Sequence, residues 1–444
     1  MSRSNLPLHA GGFALSVAIL TLAFAFTPSD AQPLEKYQRE RGLQMLRDVA
    51  DALRKHYYDP SYHGVDMAPK IKAAEQTIQS ANNNSQIFGA IAGLLDNLDD
   101  SHTFFEPPAR ATRREFGYVM TMVGDACYVT NVRPRSDAGE KLAPGDRVIS
   151  LQGYAPTRAT LWKLNYLFNT LAAFTTLRMQ IVRPDGAEKT VDVAAKLRQD
   201  KRVLDLTSGD DLWQLIREDD NAEHLMRQRL TEFGDSLIIW KMPEFDMTDE
   251  EVDRILKSVK RFQSLVVDLR GNPGGAVKTL QYLVGGVMDH DVTIAARTGR
   301  TKDLKPILAK KRSSPFQGKL IVLVDSRSAS AAELFARVVQ LEHRGVVLGD
   351  LTSGSVMESR FYSMSDGADT KVYYGASITD ADLVMTDGKS LEHGGVMPDE
   401  RILPTAADMA QGRDPVLSKA AKLANVELDP AAAGKLFPYE WQPN

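Results

Sequence analysis

The feature that most constrains the fold is the alternation of apolar runs with amphipathic segments in the second half of the chain. Four short apolar runs occupy residues 237–240, 265–269, 320–324 and 346–348. Helical periodicity lies between them, for example over residues 250–262. Apolar strands that alternate with helices are typical of a sheet covered on both faces. The sequence therefore predicts an α/β core over residues 237–428.

Two loops of this predicted core carry candidate chemistry. The run Gly271-Asn272-Pro273-Gly274-Gly275 follows one strand, and Ser330 lies where the strand over residues 320–324 gives way to a helix ending near Leu341. Loops at the carboxyl ends of parallel strands gather along one edge of a sheet, so we expect the Gly274-Gly275 turn and Ser330 to be neighbours. A serine in this position is well placed for nucleophilic attack.

The backbone around these loops could stabilise an oxyanion. The N–H groups of Ser330 and Ala331 are predicted to be unpaired donors at a helix start, and the helix dipole adds to their field. Gly274 and Gly275 would let further amides approach a substrate carbonyl. The alternatives are a simple tight turn at the glycines and a helix-capping role for Ser330, for which Ser326 and Ser328 compete.

A histidine near the start of the chain supplies a candidate base. His102 lies in the run Asp100-Ser101-His102-Thr103, and a serine nucleophile needs such a base to be activated. The alternative is a surface or capping histidine. The other histidines form no metal-binding pattern, so the sequence indicates no metal site and no cofactor.

The rest of the chain divides into regions of different character. Residues 34–108 show helical periodicity, residues 112–198 contain short β-rich runs separated by turns, and residues 199–236 are charged and predicted to be a helical connector. Residues 429–444 are predicted to be a C-terminal tail. The formal net charge of -4, with acidic and basic residues mixed, gives no electrostatic reason to expect a nucleic-acid partner.

The first residues predict export from the cytoplasm. Arg3 precedes a hydrophobic stretch over residues 11–26, and Ser29 and Ala31 form a small-x-small cleavage signal. Residues 1–31 are therefore interpreted as a secretory signal peptide, and the mature protein is expected in the periplasm or secreted. The alternative is an uncleaved anchor helix, which is the one case in which the protein would be attached to a membrane.

The order of these motifs resembles the C-terminal processing, or tail-specific, serine protease family. The resemblance rests on the Ser101-His102 element, the turn over residues 268–275, the run from Ser328 to Glu333, the Thr352-Ser353-Gly354 turn and a Gly-Gly-Val-Met-Pro-Asp run over residues 394–399. It implies a crotonase-like α/β core with an N-terminal helical domain and an inserted PDZ-like domain, for which the run over residues 142–153 is the most similar segment. It also implies polypeptide substrates and serine endopeptidase activity.

The resemblance assigns roles to individual residues. Ser330 falls on the position of the nucleophile, while Ser355 stands where many bacterial members carry a lysine base. A serine cannot replace that lysine, so the chain is more similar to the tricorn-core-like branch, in which a histidine is the base. His102 would then be the base, Glu392 the assisting carboxylate, and Ser101 a second group able to orient the imidazole. The alternative function is a catalytically inactive protein that binds a peptide or another ligand on the same fold.

Overall fold

A computed structural model describes residues 34–110, 112–199, 227–301, 303–367 and 371–441. The segment predicted as a signal peptide, residues 1–31, lies outside these described residues, as does most of the predicted connector. The described chain contains a helical region, a β-rich region and a larger α/β region.

The helical region begins the described chain. Its helices are α1 (Lys36–His56), α2 (Met67–Gln79) and α3 (Asn84–Asp96). The asparagine-rich break between α2 and α3 has a structural role, because the Asn83 side chain accepts a hydrogen bond from the Gln86 N–H and caps α3. The apolar residues that recur at three- and four-residue spacing, such as Leu46, Leu53 and Ile91, are buried in the core of this region, which confirms the predicted helices.

The β-rich region is an antiparallel sheet with short helices. Its elements are β2 (Thr112–Glu115), β3 (Tyr118–Val123), β4 (Ala126–Val132), α4 (Asp137–Lys141), β5 (Arg147–Leu151), α5 (Leu161–Asn165), β6 (Thr176–Val182), β7 (Glu188–Ala194) and β8 (Lys196–Gln199). Strands β3 to β7 pair in sequence order, so each strand neighbours the next along the chain. Strands β2 and β8 pair separately, and together they bring the entry and exit of this region side by side.

The α/β region is built on two sheets. Its strands are β9 (Arg229–Phe233), β10 (Leu237–Lys241), β11 (Ser264–Asp268), β12 (Val292–Gly299), β13 (Ile307–Ala309), β14 (Lys319–Val324), β15 (Gly345–Gly349), β16 (Met357–Asp366), β17 (Val372–Met385) and β18 (Glu400–Arg401). Its helices are α6 (Asp249–Val259), α7 (Val277–Val287), α8 (Ala331–Leu341), α9 (Ala406–Ala410), α10 (Pro415–Leu423) and α11 (Pro430–Ala433). The first sheet has the order β18-β15-β14-β11-β10-β9, and strands β10, β11, β14 and β15 run parallel.

Alternate residues of the parallel strands face opposite sides of this sheet. Ile238 and Val322 belong to the core shared with α6, α7 and α8. Ile239 and Ile321, which are their chain neighbours, pack instead with α10 on the other face. A strand buried on both faces must be apolar at every position, and this explains the uninterrupted apolar runs in the sequence. The predicted α/β core with helices on both faces is confirmed.

The second sheet joins the helical region to the α/β region. Its order is β1-β17-β12-β13, with β16 also paired to β17, and β1 (Phe104–Glu106) follows the helical region directly. His102 lies two residues before β1, so the pairing of β1 with β17 brings the histidine of the N-terminal region to the α/β region.

Two of the predicted domain boundaries need correction. The predicted helical connector contains strand residues at both of its described ends, namely β8, which reaches residue 199, and β9. Strand β9 forms because its residues pair in antiparallel register with β10, which local helical periodicity does not reveal. The predicted C-terminal tail contains α11, and its residues Ala433 and Phe437 pack onto the sheet rather than extending away from it.

Hydrogen bonds to a buried carboxylate link the β-rich region to the α/β region. Asp350, at the end of β15, accepts hydrogen bonds from the Gly124 N–H and from the Arg158 guanidinium of the β-rich region. It also pairs with Arg401 of the α/β region. Because Asp350 is buried, these partners are needed to compensate its charge, so the two regions are held together close to the carboxyl end of β15.

Candidate active site

Ser330 lies at the junction of strand and helix that its sequence predicts. Strand β14 ends at Val324, α8 begins at Ala331, and Ser330 is the residue immediately before the helix. Its backbone has φ 53° and ψ −117°, a conformation that is strained for a residue with a side chain. Ser330 is only half-buried, so its side chain is placed at an accessible point of a tightly held loop.

The two neighbouring serines of this loop have structural partners. The Ser326 hydroxyl donates to the Met122 carbonyl of the β-rich region at 2.7 Å. The Ser328 hydroxyl is fully buried and donates to the Leu269 carbonyl at 2.8 Å. Both hydroxyls therefore hold the loop in place, and Ser330 is the best placed of the three to act as a nucleophile.

The glycine turn is in contact with this serine, as the sequence predicts. A Cβ atom built on Gly274 would lie 2.7 Å from the Ser330 Cβ and 3.0 Å from the Ala331 nitrogen. Gly274 has φ 103° and Gly275 has φ 136°, so both use backbone conformations that favour glycine. Glycine is required here because any side chain at residue 274 would collide with the serine loop.

The free amides differ in part from the predicted ones. The Gly274 N–H donates to the Asn272 side chain at 2.8 Å, and the Ser330 N–H donates to the Ser355 carbonyl at 2.9 Å. The interpretation of these two amides as oxyanion donors was therefore wrong, because the folded loops already satisfy them. Within the described residues, the N–H groups of Gly275 and Ala331 donate to no other group, so they are the two donors left beside Ser330.

The loop that carries His102 is fixed by the preceding aspartate. Asp100 is buried and accepts hydrogen bonds from the His102 and Thr103 N–H groups at 2.8 and 3.1 Å. The Thr379 hydroxyl of β17 donates to the same carboxylate at 2.8 Å. These bonds hold the turn between the helical region and β1, so the position of the histidine depends on its attachment to the second sheet.

A chain of hydrogen bonds runs from the histidine to a distant glutamate. The Ser101 hydroxyl lies 2.8 Å from the His102 Nδ1 and donates to the Glu392 Oε2 at 2.9 Å. Because its one proton goes to the carboxylate, the hydroxyl accepts from Nδ1–H, and this leaves the Nε2 of His102 with its lone pair. The Glu392 carboxylate also accepts from the Ser101 and Val356 N–H groups at 2.9 and 2.7 Å. The structure thus brings the three predicted residues together in one relay.

Burial shifts the acidity of two members of this relay. Burial lowers the pKa of His102, and the nearby Asp100 carboxylate opposes that shift. Burial raises the pKa of Glu392, while its bonds from Ser101 and Val356 act in the opposite direction. A lowered pKa keeps the imidazole neutral at neutral pH, which is the state that a general base requires.

A short segment joins the serine loop to this relay. The Ser355 carbonyl accepts from the Ser330 N–H, and the next residue, Val356, donates its N–H to Glu392. Among the described residues, no hydrogen bond joins the Ser330 hydroxyl directly to His102. Hydrogen bonds between catalytic groups are often long in the absence of substrate and tighten when it binds.

Sequence reasoning missed one further residue of the site. Glu333 is completely buried, and its carboxylate accepts from the N–H groups of Ser330, Gly354 and Ser355 and from the Thr352 hydroxyl. Burial raises the pKa of Glu333 to about 7, although these hydrogen bonds act against that shift. The available signal was its place three residues after Ser330, where a glutamate reaches back to the start of its own helix.

The described residues contain no group of three or more His, Cys, Asp or Glu side chains arranged to hold a metal ion. Over the same ranges, no helix combines the length and the apolar character needed to cross a membrane.

A cavity of about 400 Å³ lies beside the relay, and Glu392, Asp99 and Met357 are among the residues that line it. Open space is therefore present beside the Glu392 end of the relay.

Ser330, the free backbone amides beside it and the His102 relay thus have the arrangement that the sequence predicts for a serine-nucleophile site. Residues 237–402 match the family model described as Peptidase family S41. Over these residues the chain is similar to peptidase family S41, and the resemblance to C-terminal processing, or tail-specific, proteases that the sequence predicts is confirmed.

Curated relatives carry the same kind of name. The chain is 29% identical over 317 residues to the carboxy-terminal processing protease CtpB of Bacillus subtilis, which covers 67% of this chain and 60% of that protein. It is 24% identical over 281 residues to the tail-specific protease of Haemophilus influenzae, with 59% and 38% covered. It is 32% identical over 165 residues to the putative tricorn protease homolog 2 of Streptomyces coelicolor, with 36% and 13% covered. The chain thus spans less than two thirds of each of these relatives.

Solved structures support the fold. Mature CPAF complexed with lactacystin has a TM-score of 0.61 at 16% identity, covering 84% of this chain and 95% of that one. The photosystem II D1 C-terminal processing protease has a TM-score of 0.51 at 18% identity, covering 89% and 99%. At these identities the similarity establishes the shared mixed α/β fold alone.

Proposed function

We propose that this protein is a serine endopeptidase that hydrolyses peptide bonds of extended or partly unfolded polypeptides. The observation that carries the proposal is the pair of free N–H groups, of Gly275 and Ala331, beside the strained and accessible Ser330. Free backbone donors next to a nucleophile are the groups that can stabilise the oxyanion of a tetrahedral intermediate.

The proposed reaction is acyl transfer. The Ser330 hydroxyl oxygen attacks the substrate carbonyl carbon while the Nε2 of His102 takes the hydroxyl proton. The N–H groups of Gly275 and Ala331 stabilise the resulting oxyanion. When the intermediate collapses, the C–N bond breaks, and His102 returns its proton to the leaving amine. Water, deprotonated by His102, then attacks the acyl-enzyme carbonyl carbon, the ester C–O bond breaks, and His102 returns the proton to the Ser330 oxygen as the second product leaves.

Ser101 and Glu392 act on the base rather than on the substrate. The Ser101 hydroxyl accepts from the Nδ1–H of His102, so it fixes the tautomer whose Nε2 is free to accept a proton. Glu392 accepts the Ser101 proton and favours the imidazolium that forms during attack. This hydrogen-bonded pair supports the proposal of a histidine base, as in the tricorn-core-like branch, for a chain that has Ser355 at the position of the family's lysine.

The remaining regions are proposed to handle the polypeptide. The α/β region is a crotonase-like core, and the β-rich region is a PDZ-like module that binds an extended segment by adding it to a sheet edge. Strand β3 is an edge strand of that sheet. The contact of Ser326 with Met122, at the β3 end, supports a route from the module to the nucleophile loop.

Export is proposed from residues 1–31, which would be removed as a signal peptide and leave the protein in the periplasm or secreted. Expression of the full chain in a bacterium, followed by fractionation and N-terminal sequencing, tests this proposal. A protein that begins after Ala31 outside the cytoplasm is the expected product, whereas an intact chain in the membrane fraction would indicate an uncleaved anchor.

The proposed activity is tested by labelling with a fluorophosphonate probe, with the modified residue identified by mass spectrometry. Labelling at Ser330 is expected, and it should disappear in the Ser330→Ala and His102→Ala variants. Ser353→Ala is the matched control, because this residue is exposed and its hydroxyl is hydrogen-bonded, among the described residues, to the Ser355 hydroxyl alone. A folded wild-type protein that is not labelled would favour the alternative of an inactive binding protein, which the serine at residue 355 motivates.

A further inference from the structure

A larger cavity, of about 550 Å³, lies along one face of α7. From this helix it is lined by Lys278, Gln281, Tyr282 and Gly286, whose three- and four-residue spacing places them on one side. None of the residues proposed for catalysis lines it. Lys278 follows Gly275 by three residues, so one end of the cavity begins within about one helical turn of the proposed oxyanion donor.

The lining of this cavity is strongly cationic. Its charged residues are Lys260, Lys278, Lys310, Lys311, Arg312 and the single carboxylate Asp253. Three of the cations have carboxylate partners, which are Asp249 for Lys278, Asp291 for Lys310 and Asp253 for Arg312. Within the described ranges, the exposed ammonium groups of Lys260 and Lys311 form no ion pair. After these three ion pairs are counted, the lining of the cavity therefore keeps an excess of positive charge.

The backbone that carries these cations is firmly docked on α7. The Arg312 and Phe316 N–H groups donate to the Gly285 and Gly286 carbonyls at 2.9 and 2.8 Å. A Cβ atom on Gly285 would lie 2.0 Å from the Lys310 carbonyl oxygen, so this close approach requires glycine. The basic segment is therefore held in place before any ligand binds, which reduces the entropy that binding would cost.

The cavity also has apolar walls. The Tyr282 ring has the Lys278 ammonium 5.4 Å and the Arg312 guanidinium carbon 5.0 Å from its centroid. Leu308 is 42% exposed although it is a large apolar residue, and Leu256 adds to the lining. A ligand that fits this lining carries several negative charges and some apolar surface.

We propose that this cavity binds an acidic segment of the polypeptide substrate. A volume of about 550 Å³ is in the range of pockets for sizeable organic ligands and is far larger than one inorganic anion requires. The cations come from three separate elements, so they match carboxylates distributed along a chain rather than a single charge. The identification of the ligand as part of a substrate rests on the proposed peptidase function, whereas the binding of acidic polypeptide does not.

Binding is measured first, with the Ser330→Ala protein and a short fluorescein-labelled peptide of alternating glutamate and leucine. Fluorescence anisotropy should show binding that weakens as salt is added, and the same peptide with glutamine in place of glutamate should not bind. The Lys260→Gln/Lys311→Gln variant should raise the Kd about fivefold, from the loss of two surface charge interactions. Lys70→Gln/Lys72→Gln, which changes two exposed lysines on α2, is the matched control and should leave the Kd unchanged.

Equal binding of the two peptides, or equal effects of the two double variants, would overturn the inference. Cleavage is measured separately with active protein and an unfolded substrate that carries either the glutamate or the glutamine stretch. We expect a lower KM for the acidic substrate, and Lys260→Gln/Lys311→Gln should abolish that difference without changing kcat. Unchanged KM values would refute the link to substrate, and binding without any cleavage or labelling at Ser330 would refute the peptidase function alone.

Discussion

The substitution Glu333→Gln tests the buried carboxylate that supports the nucleophile loop. Each oxygen of Glu333 accepts two hydrogen bonds, one oxygen from Thr352 and Gly354 and the other from Ser330 and Ser355. Glutamine has nearly the same shape but replaces one oxygen with an NH₂ group. Whichever way the amide turns, that NH₂ group faces two groups that were donors.

The cost follows from the number of donors that lose their acceptor. If the NH₂ group faces Thr352 and Gly354, the threonine hydroxyl can turn to accept, and the Gly354 N–H is left unsatisfied. If it faces Ser330 and Ser355, the Ser330 N–H keeps its bond to the Ser355 carbonyl, and the Ser355 N–H is left without an acceptor. An unsatisfied buried donor costs about 1–3 kcal/mol, and strain from the repelled groups adds to this. The hydroxyl oxygen of a protonated Glu333 can still accept from the backbone N–H, whereas the NH₂ group of glutamine cannot, so we expect the free energy of unfolding to fall by about 2–4 kcal/mol when Glu333 is protonated in the wild type.

The size of this effect should depend on pH. Burial raises the pKa of Glu333 from 4.5 to about 7 in the folded protein, so the folded state holds its proton more tightly than the unfolded state does. Stability from this group is therefore present below pH 4.5 and is lost as the pH rises to 7, by about 3 kcal/mol. Glutamine does not titrate. The deficit of Glu333→Gln should thus be largest near pH 5 and should narrow toward pH 8.

Denaturant unfolding at a series of pH values, followed by circular dichroism, measures this deficit. Glu251→Gln is the matched control, because Glu251 also lies three residues after a helix cap but is exposed to solvent. It should change stability by less than about 0.5 kcal/mol at every pH. A deficit of Glu333→Gln that grows as the pH rises would refute the reasoning, since the hydrogen bonds would then outweigh burial and favour the ionised carboxylate.

Three further predictions concern the reaction itself. Because burial lowers the pKa of His102, kcat/KM should rise with pH to a plateau with a midpoint below about 6.5, and a midpoint above that value would contradict a buried neutral base. Ser101→Ala should reduce kcat about 100-fold with little change in KM and should shift the pH midpoint, whereas a purely structural role would leave that midpoint unchanged. Gly275→Ala would place a methyl group 2.5 Å from the Phe245 carbonyl oxygen, so kcat should fall about 100-fold. Gly153→Ala is its control: φ is also positive, at 84°, but open space surrounds the new methyl group, so kcat should be retained at a stability cost of about 1 kcal/mol.

The strands and helices of the core were largely predictable because their signals are local. Predicted strands over residues 265–269 and 320–324 correspond to β11 and β14 within one residue at each end, and the helix after Ser330 ends at Leu341 as predicted. Burial on both faces requires an apolar residue at every strand position, so these strands can be located from the sequence. Strand β9 was missed because it forms by pairing with β10, which is not visible in the sequence. Its own residues alternate between half-buried and exposed and give no strong apolar signal.

The site was predictable in its parts but not in its connections. Ser330, His102 and Glu392 could be proposed from motifs, yet the bond between Ser101 and Glu392 joins positions 291 residues apart. No local sequence pattern indicates that these two side chains form a hydrogen bond. The choice of oxyanion donors failed for a similar reason, because the Gly274 and Ser330 amides are satisfied by a side chain and a carbonyl that folding brings to them.

The sequence by itself therefore determined the order of strands and helices in the core, the turn that carries the serine and the family that the chain resembles. These properties depend on side-chain periodicity and on turn residues, which are written along the chain. Only the tertiary structure decided which amides are free, which carboxylate bonds to the serine beside His102, and that Glu333 is buried beneath the loop of Ser330. Those properties depend on which distant groups share a hydrogen bond or exclude water from one another, and this is fixed only when the sheets and helices pack.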